Sequence, residues 1–251
     1  MKLREVLETI TQVQEKIQVP PVLITGGCVR DKYMNLLNNI SDIDLTNGNK
    51  NIQFLSDSVF AELKKKYNCT KKEMPDGHST IFLGNLKMDF SSNFNVNNIK
   101  TILKHINVNP TDINCETFSR DFTCNSLLMS LNLKDIQDPT KHGFSDIKNK
   151  LIKTCLSPEI TLTSNRNRVV RSIYLACKLG FDIDSSIIEY VKKNPNSIKI
   201  STPKSIAEKL NEAFKRDGDK ASFLLSKMGL WKFVPILDIM QPYYKKALIN
   251  G

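Results

Sequence analysis

The chain has 251 residues, of which 40% are apolar and 25% charged, and its formal net charge is +10. This length and composition exclude a disordered chain and suffice for one large or two modest folded domains. No stretch approaches the roughly 18 unbroken apolar residues of a membrane span, and the first ten residues carry acidic side chains. We therefore expect a cytoplasmic protein with no membrane partner, and the basic excess favours polyphosphates or nucleic acid as partners.

The first part of the chain mixes helical and strand patterns. Apolar residues at helical spacing predict three helices, at 2–18, 28–37 and 54–67. Short apolar or alternating runs predict strands at 22–25 and 42–46, and a hairpin formed by 79–84 and 86–91. This order indicates an α/β or α+β domain over residues 1–155.

From about residue 160 onward the sequence shows helical patterns only. They lie at 167–181, 186–193, 205–215 and 220–234. The change of pattern falls in the segment LSPEITLTS, so we place the domain boundary there and predict an all-helical second domain at 156–251.

The segment ITGGCVRD places two glycines between a strand and a helix. Gly26 and Gly27 let the backbone approach a polyanion, and the helix that follows presents free N–H groups at its positive end. Arg30, one turn into this helix, can add a charge-assisted contact to phosphate. An ordinary turn explains the two glycines equally well at this point.

The segment DIDLT follows as the second strand. Strand alternation puts Asp42 and Asp44 on one face and Ile43 and Leu45 on the other. Two adjacent carboxylates suit Mg²⁺, which completes its shell with water and substrate phosphates. Taken alone, a solvated strand face is an equally good interpretation of the two carboxylates.

Later segments resolve these alternatives through a resemblance. GGCVRD with DIDLT, RDFTCNSLLMSL, IQDPTKHGFSDIKNKLIKT, NRVVRSIYLACKLGFDID and KASFLLSKMGLWKFVPIL occur in this order. They lie at 26–46, 120–131, 136–154, 167–184 and 220–237. Together they resemble the motifs of the class II tRNA nucleotidyltransferases, the CCA-adding enzymes, and the related bacterial-type poly(A) polymerases.

This resemblance implies both a fold and a reaction. The fold is a polymerase-β-like nucleotidyltransferase head followed by an all-helical neck and a short partial body. The reaction is template-independent addition of nucleotides to an RNA 3′ end, with ATP and CTP as substrates, two Mg²⁺ ions and tRNA as the expected RNA. A homodimer is one way to compensate for the short body.

The resemblance also implies roles for individual residues. Asp42 and Asp44 would hold the metal ions, and Asp89 on a neighbouring strand would be the third catalytic carboxylate, with a solvated hairpin Asp as the alternative. The nucleotide-binding residues would be Gly26, Gly27, Arg30, Arg120, Asp121, Asn125, Asn165, Arg168 and Arg171. Asp31 would cap or brace the turn.

Two positions depart from the family pattern. Ser119 stands where the family usually has an arginine before the Arg-Asp pair, which would weaken triphosphate binding. Asn165 replaces the Asp of the base-reading E-D-x-x-R motif, whereas Arg168 keeps the Arg. An amide both accepts and donates hydrogen bonds, so base discrimination would be looser. A poly(A) polymerase and an RNA-binding pseudoenzyme therefore remain as alternatives.

Overall fold

The computed structural model describes residues 3–37, 39–49, 51–74, 77–92, 96–165, 167–196 and 203–249. The chain divides into two compact units, one made of Met1–Arg120 and Cys124–Phe144 and the other of Asp121–Thr123 and Ser145–Gly251. The main division therefore falls about ten residues before the predicted boundary at 155. Thr123 is part of the second unit, and its backbone N–H donates to the carbonyl of Lys153 in the same unit.

The first unit contains alternating helices and strands. Its helices are α1 (Leu3–Ile17), α2 (Gly27–Tyr33), α3 (Ile52–Lys64), α4 (Ile99–His105) and α5 (Asp112–Phe118). Its strands are β1 (Leu23–Thr25), β2 (Asp42–Thr46), β3 (Cys69–Glu73), β4 (Ser79–Leu83), β5 (Leu86–Phe90), β6 (Leu128–Ser130) and β7 (Ile136–Gln137). Each predicted element of this region is present.

These seven strands form one sheet in the order β3-β4-β5-β2-β1-β6-β7. β2 and β5 pair in parallel, and the other neighbours pair antiparallel. One face of the sheet carries completely buried apolar side chains, among them Ile43 and Leu45 of β2 and Met88 and Phe90 of β5. Burial of this face is the main favourable term that holds β2 at the centre of the sheet.

Helix α2 is shorter than predicted. The pattern predicted a helix to residue 37, but α2 ends at Tyr33. Asn35 follows with a φ of 57°, a left-handed conformation that commonly ends a helix. The apolar residues beyond this point continue the periodicity without continuing the helix.

The second unit is mainly helical. Helix α6 (Gly143–Lys148) spans the division between the units, and the further helices are α7 (Pro158–Ser164), α8 (Asn167–Leu179), α9 (Ser185–Lys193), α10 (Pro203–Lys227) and α11 (Gln241–Ile249). Two short strands, β8 (Leu151–Ile152) and β9 (Asp182–Ile183), pair in parallel. Within the described residues, no helix is long and apolar enough to cross a membrane.

Two features of this unit differ from the predictions, namely the strand β9 and the end of α10. β9 interrupts the region that was predicted to be helical throughout, because two residues are too few to show a strand period. As predicted, two helical stretches lie in 203–227, and within α10 they are separated by the non-helical backbone of Asp217 (φ −158°, ψ 91°). α10 ends at Lys227 rather than 234, and Gly229 follows with a φ of +68°, as is common after helix ends.

Candidate active site

The paired carboxylates of the first unit lie on strand β2. Asp42 and Asp44 alternate with Ile43 and Leu45, whose side chains are completely buried. Because side chains of a strand point alternately to its two faces, Ile43 and Leu45 anchor β2 in the core and both carboxylates lie on the opposite face. The burial pattern therefore follows the predicted alternation.

Asp89 lies beside these carboxylates on the neighbouring strand β5. In the parallel pairing of β2 and β5, Asp44 is opposite Asp89 and Asp42 is opposite Lys87. Residues paired in this way point to the same face, so the three carboxylates share one face of the sheet. The ammonium of Lys87 donates to Oδ1 of Asp42 at 3.4 Å and also to Asp89, and thus places a positive charge between them.

Burial and charges of both signs act on Asp44 at this face. Burial raises the pKa of Asp44 above its usual value; Arg120 and Lys87 oppose the rise, while Asp42 and Asp89 add to it. A bound cation would be favourable at such a place. Among the described residues, no three His, Cys, Asp or Glu side chains are already arranged as a metal cage. The protein would therefore supply only part of a Mg²⁺ ligand shell, as is usual for this ion.

The Gly26–Gly27 turn lies close to the carboxylate of Asp44. Gly26 has φ 78° and ψ −151°, a region of backbone conformation that is essentially restricted to glycine. A Cβ atom on Gly26 would lie 2.1 Å from Oδ2 of Asp44. Gly26 thus leaves the space that the carboxylate occupies. The predicted approach of a polyanion to this turn stays a prediction.

Arg30 is one of the largest completely enclosed side chains of the protein, with 1% of its surface exposed. Its Nε and Nη2 donate to Oδ1 of Asp31 at 2.8 and 2.6 Å, and its Nη1 donates to Oδ1 of Asn125 at 2.5 Å. Arg30 therefore connects α2 to the segment after α5, and Asp31 braces the turn through this guanidinium. Phosphate binding by Arg30 stays a prediction, and it requires part of this network to rearrange.

Arg120 is held by a residue that the sequence analysis missed. Glu116, one turn earlier, is completely buried, and its Oε1 accepts hydrogen bonds from Nε (3.1 Å) and Nη2 (2.7 Å) of Arg120. A Glu and an Arg at i, i+4 spacing were the signal in the sequence. Ser119, which stands in place of an arginine of the family motif, is also completely buried.

Asp121 belongs to the second unit. Its Oδ2 accepts hydrogen bonds from Arg171, with Nε at 2.8 Å and Nη2 at 2.7 Å, and its Oδ1 accepts from the backbone N–H of Phe122 at 2.8 Å. Burial acts to raise the pKa of Asp121, but Arg171 and Arg168 outweigh it and lower the pKa below its usual value. The ionised carboxylate is therefore the stable form inside this unit.

The predicted base-reading residues, Asn165 and Arg168, lie where α7 meets α8. Asn165 ends α7, and its Oδ1 accepts from the backbone N–H of Asn167 at 3.1 Å. Arg168 is 5% exposed and donates from Nη1 to the carbonyl of Thr161 at 3.0 Å and to Oγ of Ser164 at 2.8 Å. These contacts stabilise the turn between the two helices, and recognition of a base by Asn165 and Arg168 stays a prediction.

The Asp121–Arg171 pair predicts a pH-dependent stability. Asp121→Asn is expected to lower the free energy of unfolding by about 1–2 kcal/mol at pH 7, because a charge-assisted contact is lost. Since the folded pKa of Asp121 is lowered, its contribution is present above the unfolded value and is lost as the pH falls through the folded value. Urea unfolding at pH 7 and pH 3 measures the difference, which should be smaller at pH 3.

Asp182→Asn is the matched control for this prediction. Asp182 also pairs with a cation of the second unit, Lys220 at 3.6 Å, but its side chain is 88% exposed. Exposed pairs contribute little, so this variant should unfold like the wild type at both pH values. An equal loss of stability for Asp121→Asn at pH 7 and pH 3 would contradict the electrostatic explanation.

Comparison with known proteins places the chain in a family. The family described as "Poly A polymerase head domain" matches residues 22–153, which is more than half of the chain. The chain belongs to the poly(A) polymerase head domain family. This membership, with the mixed sheet and the helical second unit, confirms the predicted family and the predicted fold class of a polymerase-β-like head followed by helices.

Several proteins resemble this member of the head domain family over most of its length. The tRNA nucleotidyltransferase cca2 of Schizosaccharomyces pombe is 26% identical over 208 residues, which cover 78% of this chain and 43% of that protein. A solved structure described as a tRNA-processing enzyme with CTP has a TM-score of 0.69 at 20% identity and covers 89% of this chain and 57% of that one. A tRNA nucleotidyltransferase complexed with a primer tRNA and an incoming ATP analog has a TM-score of 0.64 at 21% identity, with coverages of 89% and 60%. The chain thus spans about half the length of these relatives.

The segment matched by the poly(A) polymerase head domain family contains most of the predicted site. The matched residues are Gly26, Gly27, Arg30, Asp42, Asp44, Asp89, Arg120, Asp121 and Asn125. Asn165, Arg168 and Arg171 lie beyond it. The structure brings Asp42, Asp44 and Asp89 together on the sheet, Arg30 together with Asn125, and Arg171 together with Asp121.

Proposed function

We propose that this protein is a template-independent nucleotidyltransferase that adds nucleotides from ATP and CTP to the 3′ end of RNA, and that it builds or repairs the CCA end of tRNA. The observation that carries the proposal is the placement of Asp42, Asp44 and Asp89 on one face of two adjacent strands, in a member of this family. The names of the similar proteins, with tRNA, CTP and an ATP analog, support the choice of substrates.

Asp42 and Asp44 would hold two Mg²⁺ ions, and Asp89 would be the third catalytic carboxylate. When bound, such ions lower the pKa of an attacking hydroxyl and stabilise charge on the transferred phosphoryl group and its leaving group. The position of Lys87 supports this assignment, because its ammonium donates to both Asp42 and Asp89 and so shows that this face favours a cation.

Contacts within each unit support the nucleotide-binding roles predicted for its residues. In the first unit, Arg120 supplies positive charge that acts on Asp44, which supports a contact with the triphosphate. In the second unit, the guanidinium of Arg171 is oriented by Asp121 while its side chain stays 44% exposed, which leaves it accessible to an anionic ligand. Base selection by Asn165 and Arg168 belongs to the same proposal.

The distribution of charge supports RNA as the partner. The second unit has 19 Lys and Arg against 11 Asp and Glu, and the first has 17 against 15, so the second unit carries +8 of the net +10. Lysine and arginine bind the RNA backbone through its phosphates. Phe223, which is 61% exposed with Lys227 5.5 Å from its ring, adds an aromatic surface on which a base can stack.

The test is incorporation of each labelled NTP, separately and mixed, in the presence of Mg²⁺. The acceptors are tRNA that ends before CCA, tRNA that ends in CC, and an unstructured oligo(A) primer. We expect ordered addition of two C and one A, restricted to the two tRNAs, and no incorporation when EDTA removes the metal. Binding of each RNA is measured in parallel by gel shift.

Each of the other outcomes would indicate a different activity for this protein. Long A tails on any primer would show a poly(A) polymerase and overturn the proposed tRNA specificity. Addition of only one of the two kinds of nucleotide would show a partial activity. No incorporation on any acceptor, with RNA binding intact, would show an RNA-binding pseudoenzyme and overturn the proposed chemistry.

A further inference from the structure

Glu116 is a buried acidic residue near the candidate site to which the predicted mechanism gives no role. It lies on α5 and is completely buried. Removing a carboxylate from water is costly unless the charge is paired. Arg120 offsets this cost, because it donates two hydrogen bonds to one carboxylate oxygen of Glu116, Oε1.

The second carboxylate oxygen of Glu116 takes no part in this pairing with Arg120. Within the part of the chain that the structure describes, Oε2 of Glu116 is buried and has no hydrogen-bond partner. Both hydrogen bonds to Oε1 come from the guanidinium of Arg120, and they hold this guanidinium against α5. The i, i+4 spacing and the helical turn at Ser119 set the direction in which Arg120 extends.

The position of Arg120 relative to the carboxylate face gives this orientation a function. The positive charge of Arg120 acts on Asp44 of that face, and Arg120 is one of the predicted nucleotide-binding residues. Its side chain is 11% exposed, so its charge is only weakly screened by water. Arg120 thus places positive charge where the triphosphate would meet the carboxylates.

We propose that Glu116 is a positioning residue, which holds the guanidinium of Arg120 in place to bind the triphosphate of the incoming nucleotide. The inference rests on the proposed function for the identity of the ligand. It assigns Glu116 no contact with the nucleotide, and its effect passes through Arg120.

The test compares Glu116→Gln with the wild type. Glutamine keeps the size and an acceptor oxygen but lacks the charge that fixes Arg120. We expect the Kd for a fluorescent ATP derivative, and the KM for ATP in incorporation, to rise about tenfold, the scale of one charge-assisted contact. The value of kcat should change less than about twofold, because a uniform loss of substrate binding leaves kcat unaltered.

A merely structural role would give a different result. Glu116→Gln would then lower kcat in proportion to the folded fraction, with Kd and KM unchanged, and this outcome would overturn the inference. Glu62→Gln is the matched control, because Glu62 accepts from Lys65 at 2.8 Å on the exposed surface of α3. It should leave Kd, KM and kcat unchanged.

A double variant covers the case in which Glu116→Gln does not fold. Arg120→Gln combined with Glu116→Gln removes both charges together and leaves no buried carboxylate without its guanidinium. Because Glu116 acts through Arg120, the double variant and Arg120→Gln should have the same Kd for the ATP derivative. A further weakening in the double variant would show that Glu116 acts independently and would overturn the inference.

The two readouts separate this inference from the proposed function. ATP binding that depends on Glu116 in a protein that incorporates no nucleotide would overturn the proposed function and support the positioning role. Incorporation by the wild type, together with unchanged ATP binding in Glu116→Gln, would support the proposed function and overturn the positioning role. A wild type that does not bind the ATP derivative would overturn both.

Discussion

Asp44→Asn is expected to reduce nucleotide incorporation at least about 10³-fold, the scale of losing a group that holds a catalytic metal ion. Asparagine keeps the size of the side chain, but its neutral amide is a weaker ligand for Mg²⁺ than a carboxylate. The measurement is single-nucleotide incorporation on tRNA at saturating Mg²⁺ and NTP. Binding of the tRNA should persist or strengthen, since one negative charge near the RNA is removed.

The same substitution is expected to raise the free energy of unfolding at neutral pH by about 0.5–2 kcal/mol, as stabilising changes at functional sites often do. The pKa of Asp44 is raised in the folded protein, chiefly by burial. The stabilisation from its protonated form is complete below the unfolded pKa and is lost as the pH rises through the folded pKa. Asparagine is neutral at every pH and so keeps this stabilisation.

Asp57→Asn is the control for both measurements on Asp44. Asp57 lies on α3 and accepts from Lys71, and its side chain is 53% exposed. It should leave incorporation unchanged and should not raise the free energy of unfolding, because Lys71, which is 7% exposed, loses one of its two acceptors. Incorporation by Asp44→Asn within tenfold of the wild type would show that Asp44 does not hold a catalytic metal. A loss of stability in that variant would contradict the explanation that burial disfavours the ionised form of Asp44.

Gly26→Ala is expected to reduce incorporation by about 10²-fold, because small misplacements of catalytic groups have effects of this size. The added Cβ would lie 2.1 Å from Oδ2 of Asp44, so the carboxylate has to move. The backbone conformation of Gly26 is also unfavourable for alanine, at a cost of about 1–3 kcal/mol in stability. Incorporation and urea unfolding measure the two effects.

Gly84→Ala separates these two effects. Gly84 has a positive φ of 57° in the turn between β4 and β5, but an added Cβ would meet nothing within 4 Å. This variant should lose stability without losing incorporation by the folded fraction. If Gly26→Ala loses no more activity than Gly84→Ala, the space that Gly26 leaves for the carboxylate of Asp44 has no role in catalysis.

Much of the local structure around the site could be predicted because its signals are short-range. The alternation in DIDLT placed Asp42 and Asp44 on one face, and the hairpin of β4 and β5 followed from two apolar runs around Gly84 and Asn85. The motifs of the family indicated the residues of the site. Each of these signals extends over a few residues, and the backbone periods of helices and strands account for them.

Contacts between distant residues could not be predicted in this way. Arg30 and Asn125 are 95 residues apart in the chain, and Lys87 and Asp42 are 45 apart. Phosphate binding was predicted for Arg30 from its sequence neighbours alone, whereas the folded chain encloses it between two other side chains. Periodicity carries no information about which remote side chain completes such a contact.

By itself, the sequence of this protein determined the types of its elements, the face of β2 that carries carboxylates, and its family. Only the tertiary structure decided that Asp89 lies opposite Asp44 and that Gly26 makes room for the carboxylate of Asp44. The physical reason is that the parallel pairing of β2 with β5 requires a crossover through α3, β3 and β4. Burial of the whole sheet face selects that pairing, and no local pattern records it.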